Sequence, residues 1–190
     1  MAQLFFRYGT MNASKTAQLL MVAHNYKEVG KKIIIFSPTI DDRYGQGIVK
    51  SRIGIQKNAT PIKPDASQLE IFNIIIGQYP VSCILCDESQ FLSEQNVLIF
   101  TKIVDTLNIP AICYGLLRDF KGKLFEGSRS LIQWADKIEE IKTICTYCGK
   151  KATHVLRFVD GKPVYSGEQI QIGDSEYKSV CRKHWFKPKI

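Results

Sequence analysis

The sequence contains neither a membrane-spanning apolar run nor a recognisable secretion signal. No stretch of about 18 residues is continuously apolar, so we expect no membrane span. The N-terminus lacks a basic segment followed by a long apolar one, which argues against a signal peptide. Internal repeats and low-complexity segments are absent as well. These absences favour a cytoplasmic globular protein.

The composition is that of a globular domain with a surplus of positive charge. Hydrophobic residues make up 45% and charged residues 23% of 190 residues, enough for one large domain or a domain with a small appendage. The net charge of +8 suits a nucleic-acid binder or an enzyme that attracts nucleotides. Basic residues interleaved with aromatic ones, which stack single strands, are absent, so we expect no nucleic-acid partner.

The stretch from residue 9 to residue 16 has the form of a phosphate-binding loop. It reads Gly9-Thr10-Met11-Asn12-Ala13-Ser14-Lys15-Thr16 and lies between an apolar run and a helical pattern. In such a loop the backbone N–H groups point at an anion. Lys15 would reach the outer phosphates, and the Thr16 hydroxyl would bind Mg²⁺. The usual pattern has glycine at Ser14, and an ordinary strand-to-helix turn is the alternative.

Apolar strand-like runs alternate with helical patterns as far as about residue 144. This order predicts an α/β domain over residues 1–144, with a parallel sheet flanked by helices. The predicted strands include 33–36, 83–86, 109–116 and 138–144. The predicted helices begin after Ser67 and Ser93 and at residue 127.

Two segments are less regular. Residues 45–63 are polar, with a short strand as one possibility around 51–56. Residues 145–190 form a second, smaller domain with strands at 153–158 and 168–172 and a Gly-Lys-Pro turn between them. The tail carries a basic cluster that is most simply a solvated terminus.

Asp87 and Glu88 follow an apolar strand directly. In P-loop enzymes an acid at the end of a neighbouring strand helps to hold Mg²⁺, which is the role expected of Asp87. Glu88 is then free to act as a base toward a hydroxyl group. The alternative is that the pair simply begins a surface loop.

The six cysteines fall into two groups. Without a secretion signal they favour metal binding or core packing over disulfides. Cys83 and Cys86 lie three apart on a predicted strand and therefore face opposite sides, and Cys113 lies in another strand, so we expect these three in the core.

The second group has the spacing of a structural zinc site. Cys145-x-x-Cys148 is followed by Gly149, which permits a tight turn, and Cys181-x-x-His184 supplies the other pair. Three sulfurs and one imidazole make a closed tetrahedral Zn²⁺ set without an open position for catalysis. Two unrelated Cys pairs in a small tail are the alternative.

Several motifs occur in a characteristic order along the chain. They are the phosphate-binding loop with Met11, Asp41-Asp42-Arg43-Tyr44, Asp87-Glu88-Ser89-Gln90-Phe91, Tyr114-Gly-Leu-x-x-Asp-Phe-x-Gly-x-Leu-Phe125, Cys145-x-x-Cys148 and Tyr177-x-Ser-Val-Cys-Arg-x-His184. Together they resemble the bacterial thymidine kinases of the type II family, from Met1 to about Trp185. Two departures are Ser14 and a lasso run, 171–177, that is about one residue short and has one glycine where relatives often have two.

The resemblance implies a fold and an activity. The fold is a RecA-like P-loop domain joined to a small zinc-bearing domain, which carries a lasso loop that closes over the base. The activity is transfer of the γ-phosphoryl of ATP, with Mg²⁺, to the 5′-hydroxyl of thymidine or deoxyuridine. The resemblance also implies a homotetramer that dTTP inhibits as the end product.

The resemblance also assigns roles to residues. Glu88 is the base, Asp87 belongs to the Mg²⁺ shell, and Arg43 lies near the transferred phosphoryl, with Asp41 a weaker candidate there. The remaining positions would bind the nucleoside base: Met11, Phe91, Leu116, Phe120, Phe125 and, in the lasso, Gln171 and Tyr177. For the three phenylalanines, simple core packing is the alternative.

Two rival functions use the same features. One is a P-loop ATPase that hydrolyses ATP without a nucleoside. The other is a nucleotide-gated, zinc-containing module that binds nucleic acid through the basic surface. ADP production that depends on thymidine separates the kinase from both.

Overall fold

The structure, a computed structural model, describes residues 1–41, 45–169 and 176–189. Its strands are β1 (Leu4–Tyr8), β2 (Ile33–Pro38), β3 (Ile48–Lys50), β4 (Gln56–Asn58), β5 (Thr60–Ile62), β6 (Cys83–Cys86), β7 (Ala111–Gly115), β8 (Lys137–Glu140), β9 (His154–Val159), β10 (Lys162–Val164) and β11 (Glu176–Val180). Its helices are α1 (Lys15–Glu28), α2 (Gln68–Ile76), α3 (Glu94–Leu107), α4 (Glu126–Trp134) and α5 (Arg182–Phe186), with a 3-10 turn at Ser89–Phe91. None of the helices in these described ranges is both long and apolar enough to cross a bilayer.

Within the described residues the main sheet has six strands in the order β5-β2-β6-β7-β1-β8. Every pairing in it is parallel. The predicted α/β class with a parallel sheet is therefore confirmed. The order places β1 between β7 and β8, so the carboxyl ends of β1, β6 and β7 lie side by side at one edge.

Helices cover both faces of this sheet, which is why its central strands are continuously apolar. One face packs against α2, α3 and α4, and includes Phe36, Cys86 and Cys113. The opposite face packs against α1 and β3, and includes Cys83 and Tyr114. The prediction that Cys83 and Cys86 face opposite sides of the sheet is confirmed.

The helix starts follow from local side-chain chemistry. Ser67 and Glu70 form a reciprocal capping box at the start of α2: the Glu70 N–H donates to Ser67 Oγ at 3.2 Å, and the Ser67 N–H donates to Glu70 Oε2 at 2.7 Å. Ser93 and Asn96 make the same arrangement at the start of α3. Both predicted helix starts are confirmed.

The segment after β2 differs from the prediction. The strand considered around 51–56 is wrong, because most of that range forms the tip of a hairpin between β3 and β4. The Ser51 N–H donates to the Ile55 carbonyl at 2.8 Å and closes this tip. β5 then joins the main sheet beside β2. Its central Pro61 has no N–H to give, which suits the end position that β5 holds.

The last strand of the main sheet is also shorter than expected. β8 ends at Glu140, whereas the apolar and charged alternation predicted a strand as far as Ile144. Its partner β1 ends at Tyr8, where the chain turns into the phosphate-binding loop. The Ile141 N–H still donates to the Tyr8 carbonyl at 2.7 Å, but Ile144 pairs with Lys151 instead of with the main sheet.

Beyond β8, the described part of the chain forms a small antiparallel sheet in the order β10-β9-β11, followed by α5. The predicted strand 153–158 is confirmed as β9, one residue displaced. The turn lies at Asp160 and Gly161, both at positive φ, whereas Lys162 and Pro163 belong to β10. Of the predicted strand 168–172, residues 168 and 169 are not in a strand, and the others lie outside the described residues.

Candidate active site

A cavity of about 660 Å³ opens at the edge of the sheet where β1, β6 and β7 end. Open α/β sheets bind their ligands at this edge. Residues 11–17 of the phosphate-binding loop line the cavity, as do Asp87 and Glu88 after β6. Lys15 and Glu88 therefore face the same space, as a shared reaction centre requires.

The loop between β1 and α1 has the shape of an anion cradle. The ammonium group of Lys15 lies over the loop and donates to the Thr10 carbonyl at 2.8 Å. Gly9 is packed so closely that a Cβ there would lie 2.6 Å from the Ile141 carbonyl oxygen and 2.8 Å from Ala13 Cβ. Glycine at this position is therefore required by packing, and the loop amides precede the N-terminus of α1.

Ser14 has backbone dihedral angles that favour glycine. Its φ of 60° and ψ of 20° are left-handed, and Asn12 in the same loop also has a φ of 60°. A side chain in this region costs roughly 1–2 kcal/mol, which accounts for the glycine in the usual motif. The chain thus keeps the loop conformation with a strained serine.

Ser14→Gly is expected to raise the free energy of unfolding by about 0.5–1 kcal/mol, because the relieved strain exceeds the extra chain entropy of glycine. Urea denaturation measures this difference. The matched variant Ser14→Ala removes the same hydroxyl but keeps the Cβ, and it should show no gain. Equal stabilisation by both substitutions would mean that backbone strain is not the cause.

Asp87 is buried at the end of β6 beside the loop. Its Oδ2 accepts a hydrogen bond from the Thr16 hydroxyl at 2.9 Å. Its Oδ1 is buried and has no hydrogen-bond partner among the described residues. Burial, and then the charge of Glu88, raise the pKa of Asp87 to about 7, against the opposing effects of Thr16 and Lys15. A hydroxyl beside a carboxylate with a spare oxygen fits Mg²⁺, which prefers oxygen ligands.

The raised pKa predicts that Asp87 destabilises the metal-free protein as the pH rises. The carboxyl group ionises near pH 4 when unfolded and near pH 7 when folded, so the cost grows through this window and is complete above it. Asp87→Asn should raise the free energy of unfolding by on the order of 1–3 kcal/mol at pH 8 and by less at pH 5. Thermal unfolding in buffer without Mg²⁺, with the zinc content kept constant, measures this difference.

The exposed Asp105 on α3 offers a matched control for that comparison. Asp105→Asn removes the same charge from the surface and should leave the pH dependence of unfolding unchanged. A stability gain for Asp87→Asn that is equal at pH 5 and pH 8 would contradict the assignment.

Glu88 lies next to Asp87 but has different contacts. Its backbone is left-handed, with a φ of 46° and a ψ of 39°. Its Oε2 accepts a hydrogen bond from Gln90 Nε2 at 2.5 Å, and Gln90 Oε1 accepts one from the Leu116 N–H at 2.9 Å. Strained non-glycine residues concentrate at functional sites, where the surroundings hold them in place. The buried Gln90 thus fixes the Glu88 carboxylate relative to the loop after β7.

The other wall of the cavity is largely apolar. It includes the residues that the resemblance assigns to the base pocket: Met11, Phe91, Leu116, Phe120, Phe125 and Tyr177. The Phe91 and Phe125 rings meet edge to face, with centroids 5.8 Å apart. The guanidinium of Arg157 lies 5.1 Å from the centroid of Phe120. This wall provides flat apolar surfaces for a planar ligand.

Some lining residues were not singled out from the sequence. Arg118, Asp119 and Gln169 line the cavity together with Arg52 at the hairpin tip. Asp119 Oδ1 accepts hydrogen bonds from the Lys121 and Lys123 N–H groups, and its Oδ2 accepts one from Gln169 Nε2 at 3.0 Å. Asp119 belongs to a motif that the sequence shows, whereas nothing in the sequence distinguishes the two arginines.

Three of the predicted site residues remain to be placed. Asp41 lines the cavity. Arg43 and Gln171 lie outside the described residues.

The Cys and His residues near the C-terminus come together as one cluster. The ligand atoms of Cys145, Cys148, Cys181 and His184 all lie within 4.8 Å of one another. His184 Nδ1 is 3.5 Å from Cys145 Sγ and 3.4 Å from Cys181 Sγ, and the Cys148 and Cys181 sulfurs are 3.9 Å apart. Tetrahedral zinc requires separations of about 3.6 Å between sulfur and nitrogen and about 3.8 Å between sulfurs. The cluster therefore fits Zn²⁺.

The local backbone also suits a metal-bound thiolate. Gly149 has a φ of 66°, and its N–H donates to the Cys145 carbonyl, so the chain turns tightly after Cys148 as predicted. Burial of Cys145 opposes ionisation, but amides of Cys181 and Tyr147 and the His184 ring outweigh it and lower the pKa of the Cys145 thiol to about 6.

The thymidine kinase family model matches residues 2–185. The thymidine kinase of Streptococcus pyogenes serotype M3 is 55% identical over 193 residues, which cover 100% of both chains. That of Lactococcus lactis subsp. lactis is 52% identical over 191 residues, again covering 100% of both.

Among solved structures, a DNA replication initiation factor aligns with 74% of this chain and 40% of its own, at 18% identity and a TM-score of 0.40. A likeness this weak supports no conclusion. The family model and the relatives match essentially the full length of the chain. The chain belongs to the thymidine kinase family.

Proposed function

We propose that the protein transfers the γ-phosphoryl of ATP to the 5′-hydroxyl of thymidine or deoxyuridine, which gives the nucleoside monophosphate and ADP. The observation that carries this proposal is a single cavity that has a phosphate-binding loop, a carboxylate pair and an aromatic wall. Family membership supports the same activity.

The phosphate-binding loop and Lys15 hold the ATP phosphates. The loop amides and the N-terminus of α1 face the oxygens, and Lys15 leaves the Thr10 carbonyl to contact the outer phosphates. Thr16 and Asp87 would hold Mg²⁺, which would supply positive charge to offset that of the phosphates. Arg43 contributes a positive charge near the transferred group, with Asp41 as a nearby acid.

Glu88 accepts the proton of the 5′-hydroxyl as that oxygen attacks the γ-phosphorus. Its carboxylate is held in place by the hydrogen bond from Gln90 Nε2 and lines the same cavity as the phosphate-binding loop. Asp87 is assigned to the metal instead, because its Oδ2 accepts a hydrogen bond from the hydroxyl of Thr16, the other proposed Mg²⁺ ligand. The two neighbouring acids thus divide metal binding and base catalysis between them.

The nucleoside base lies against the apolar wall. Met11, Phe91, Leu116, Phe120 and Phe125 exclude water from it. Gln171, which falls between β10 and β11 in the sequence, and Tyr177, the second residue of β11, provide polar contacts to the base. This arrangement selects a small planar ring over a bulky one, because Phe120 and Phe125 are buried and packing fixes their positions.

Three further properties belong to the proposal. The Cys₃His cluster holds a structural zinc ion. The chain assembles as a homotetramer. The end product dTTP occupies the nucleoside site and inhibits the enzyme, as its thymidine part has the same base and sugar.

Coupled measurement of ADP tests the activity. ADP should form from ATP and Mg²⁺ when thymidine is present, and the rate should fall to background without a nucleoside. Addition of single-stranded DNA in place of thymidine should have no effect. ADP production that is equal with and without thymidine would contradict the proposal in favour of an ATPase, and stimulation by DNA would favour a nucleic-acid module.

A further inference from the structure

Trp185 lies where three parts of the molecule meet. It follows the zinc-cluster residue His184 on the short helix α5, and its N–H donates to the Cys181 carbonyl at 3.0 Å. The side chain is half-buried and packs on the core of the small antiparallel sheet. It does not line the cavity, so its effect on a ligand there must pass through its neighbours.

The first neighbour is the loop between β7 and α4. Trp185 Nε1 donates to the Phe120 carbonyl at 3.1 Å. The same ring covers Gly122, where a Cβ would lie 3.6 Å from the indole. Phe120 is 3% exposed and forms part of the cavity wall. The indole therefore holds the backbone from which this wall residue projects.

The second neighbour is the segment after β10. The Tyr165 hydroxyl donates to the Trp185 carbonyl at 2.6 Å, and the two rings meet edge to face at 5.2 Å. Further along, Gly167 accepts a hydrogen bond from Lys121 Nζ at 2.9 Å. Gln169 then reaches Asp119 in the loop after β7. Residues 165–169 and 119–122 are thus bound to each other, and Trp185 contacts both.

The third neighbour is His154, which in turn contacts the cavity residue Arg118. The His154 ring lies 5.5 Å from the Trp185 ring. His154 Nε2 is 3.2 Å from Arg118 Nη1, and Arg118 lines the cavity. Arg118 Nε is buried and has no hydrogen-bond partner within the described ranges. The position of Arg118 therefore depends on a ring that Trp185 supports.

We infer that Trp185 is a positioning residue for nucleoside binding: it couples the zinc cluster to the wall that holds the base. This inference rests on the proposed function and refines it. The indole N–H of Trp185 donates to the carbonyl of Phe120, a residue of the wall proposed to hold the base, and not to the phosphate-binding loop. Its influence therefore falls on thymidine and not on ATP.

Fluorescence reports on Trp185 without disturbing it. The chain has two tryptophans, so Trp134→Phe leaves Trp185 as the single indole emitter. Trp134 is 45% exposed at the end of α4 and lines no part of the cavity. In this variant thymidine should shift or quench the emission, and the half-maximal change should occur at a concentration near the KM for thymidine. A non-hydrolysable ATP analogue alone should leave the emission unchanged.

Kinetics of Trp185→Phe tests the coupling directly. The variant keeps an aromatic ring but loses the Nε1–H donor to Phe120. We expect the KM for thymidine to rise about five- to tenfold, as for one lost hydrogen bond, with kcat and the KM for ATP within about twofold of wild type. Trp134→Phe is the matched control and should leave all three constants unchanged. Zinc content and melting temperature confirm that the variant is folded.

The outcomes separate the two proposals. An unchanged KM for thymidine in folded Trp185→Phe overturns the coupling, as does a parallel loss of kcat and both KM values. If Trp185→Phe does not fold, the fluorescence of active Trp134→Phe decides instead. A Trp185 emission that thymidine leaves unchanged overturns the coupling. A wild-type protein that forms no ADP from thymidine and ATP overturns the proposed function itself.

Discussion

Glu88→Gln is expected to lower kcat for thymidine phosphorylation by about 10²–10⁴-fold, which is the usual contribution of a general base. The amide is the same size as the carboxylate and can still accept the hydrogen bond from Gln90 Nε2. The geometry of the loop after β6 is therefore retained, and only the proton acceptor is lost. The KM values for ATP and thymidine should change little, because the missing interaction belongs to the transition state. Steady-state kinetics with both substrates measures this separation.

The matched control is Glu28→Gln at the exposed end of α1, which removes one carboxylate far from the sheet edge and should leave kcat unchanged. Thymidine binding by Glu88→Gln, measured by calorimetry, shows that the pocket is intact. Full kcat in this variant would assign the proton transfer to another group. A large rise in the KM for thymidine with normal kcat would make Glu88 a binding residue.

The parallel arrangement of the sheet and the edge that carries the site could be predicted because local signals decide them. The capping boxes at Ser67 and Ser93 depend on side chains three residues apart, so the sequence contains the whole interaction. The apolar runs of β2 and β6 are long enough to be buried on both faces. Once the strands are parallel, Lys15 and Asp87 must lie at the same edge.

The features that could not be predicted depend on contacts between distant segments. The strands of the β3–β4 hairpin have only three residues each, and their pairing is set by the turn and by Val49 packing against α1. Arg118 lines the cavity with its guanidinium beside His154 of β9. Neither contact leaves a periodic signal in the sequence, since the partners are far apart along the chain.

Ser14 shows a motif departure that the structure explains. The sequence raised the question of whether a serine can replace the usual glycine. The left-handed backbone at this position shows why glycine is usual, and the intact Lys15 to Thr10 contact shows that the loop shape is retained. The cost is one strained residue, and the cavity remains open to the loop.

The small antiparallel sheet has little apolar material of its own, which makes the zinc cluster important for stability. Its buried core consists of Cys145, Leu156, Phe158 and Val180, and one of these is itself a cluster residue. A core of this size is too small to stabilise about 45 residues by itself. Natural proteins of that size supplement their cores with metals or disulfides. A metal bound at the cluster would contribute directly to the folding free energy of this part of the chain.

Cys148→Ser is expected to reduce the zinc content from about one ion per chain to nearly none and to lower the melting temperature by on the order of 10 °C, since several kcal/mol of binding energy are lost. Cys148 is exposed, so without a metal the same substitution would change stability by no more than about 0.5 kcal/mol. Metal analysis and calorimetry measure both quantities. The buried Cys113 provides the converse control: Cys113→Ala should cost about 1–2 kcal/mol of packing yet keep the zinc. An unchanged melting temperature for Cys148→Ser would exclude a structural metal, because only an exposed thiol that binds no metal can be replaced without a loss of stability.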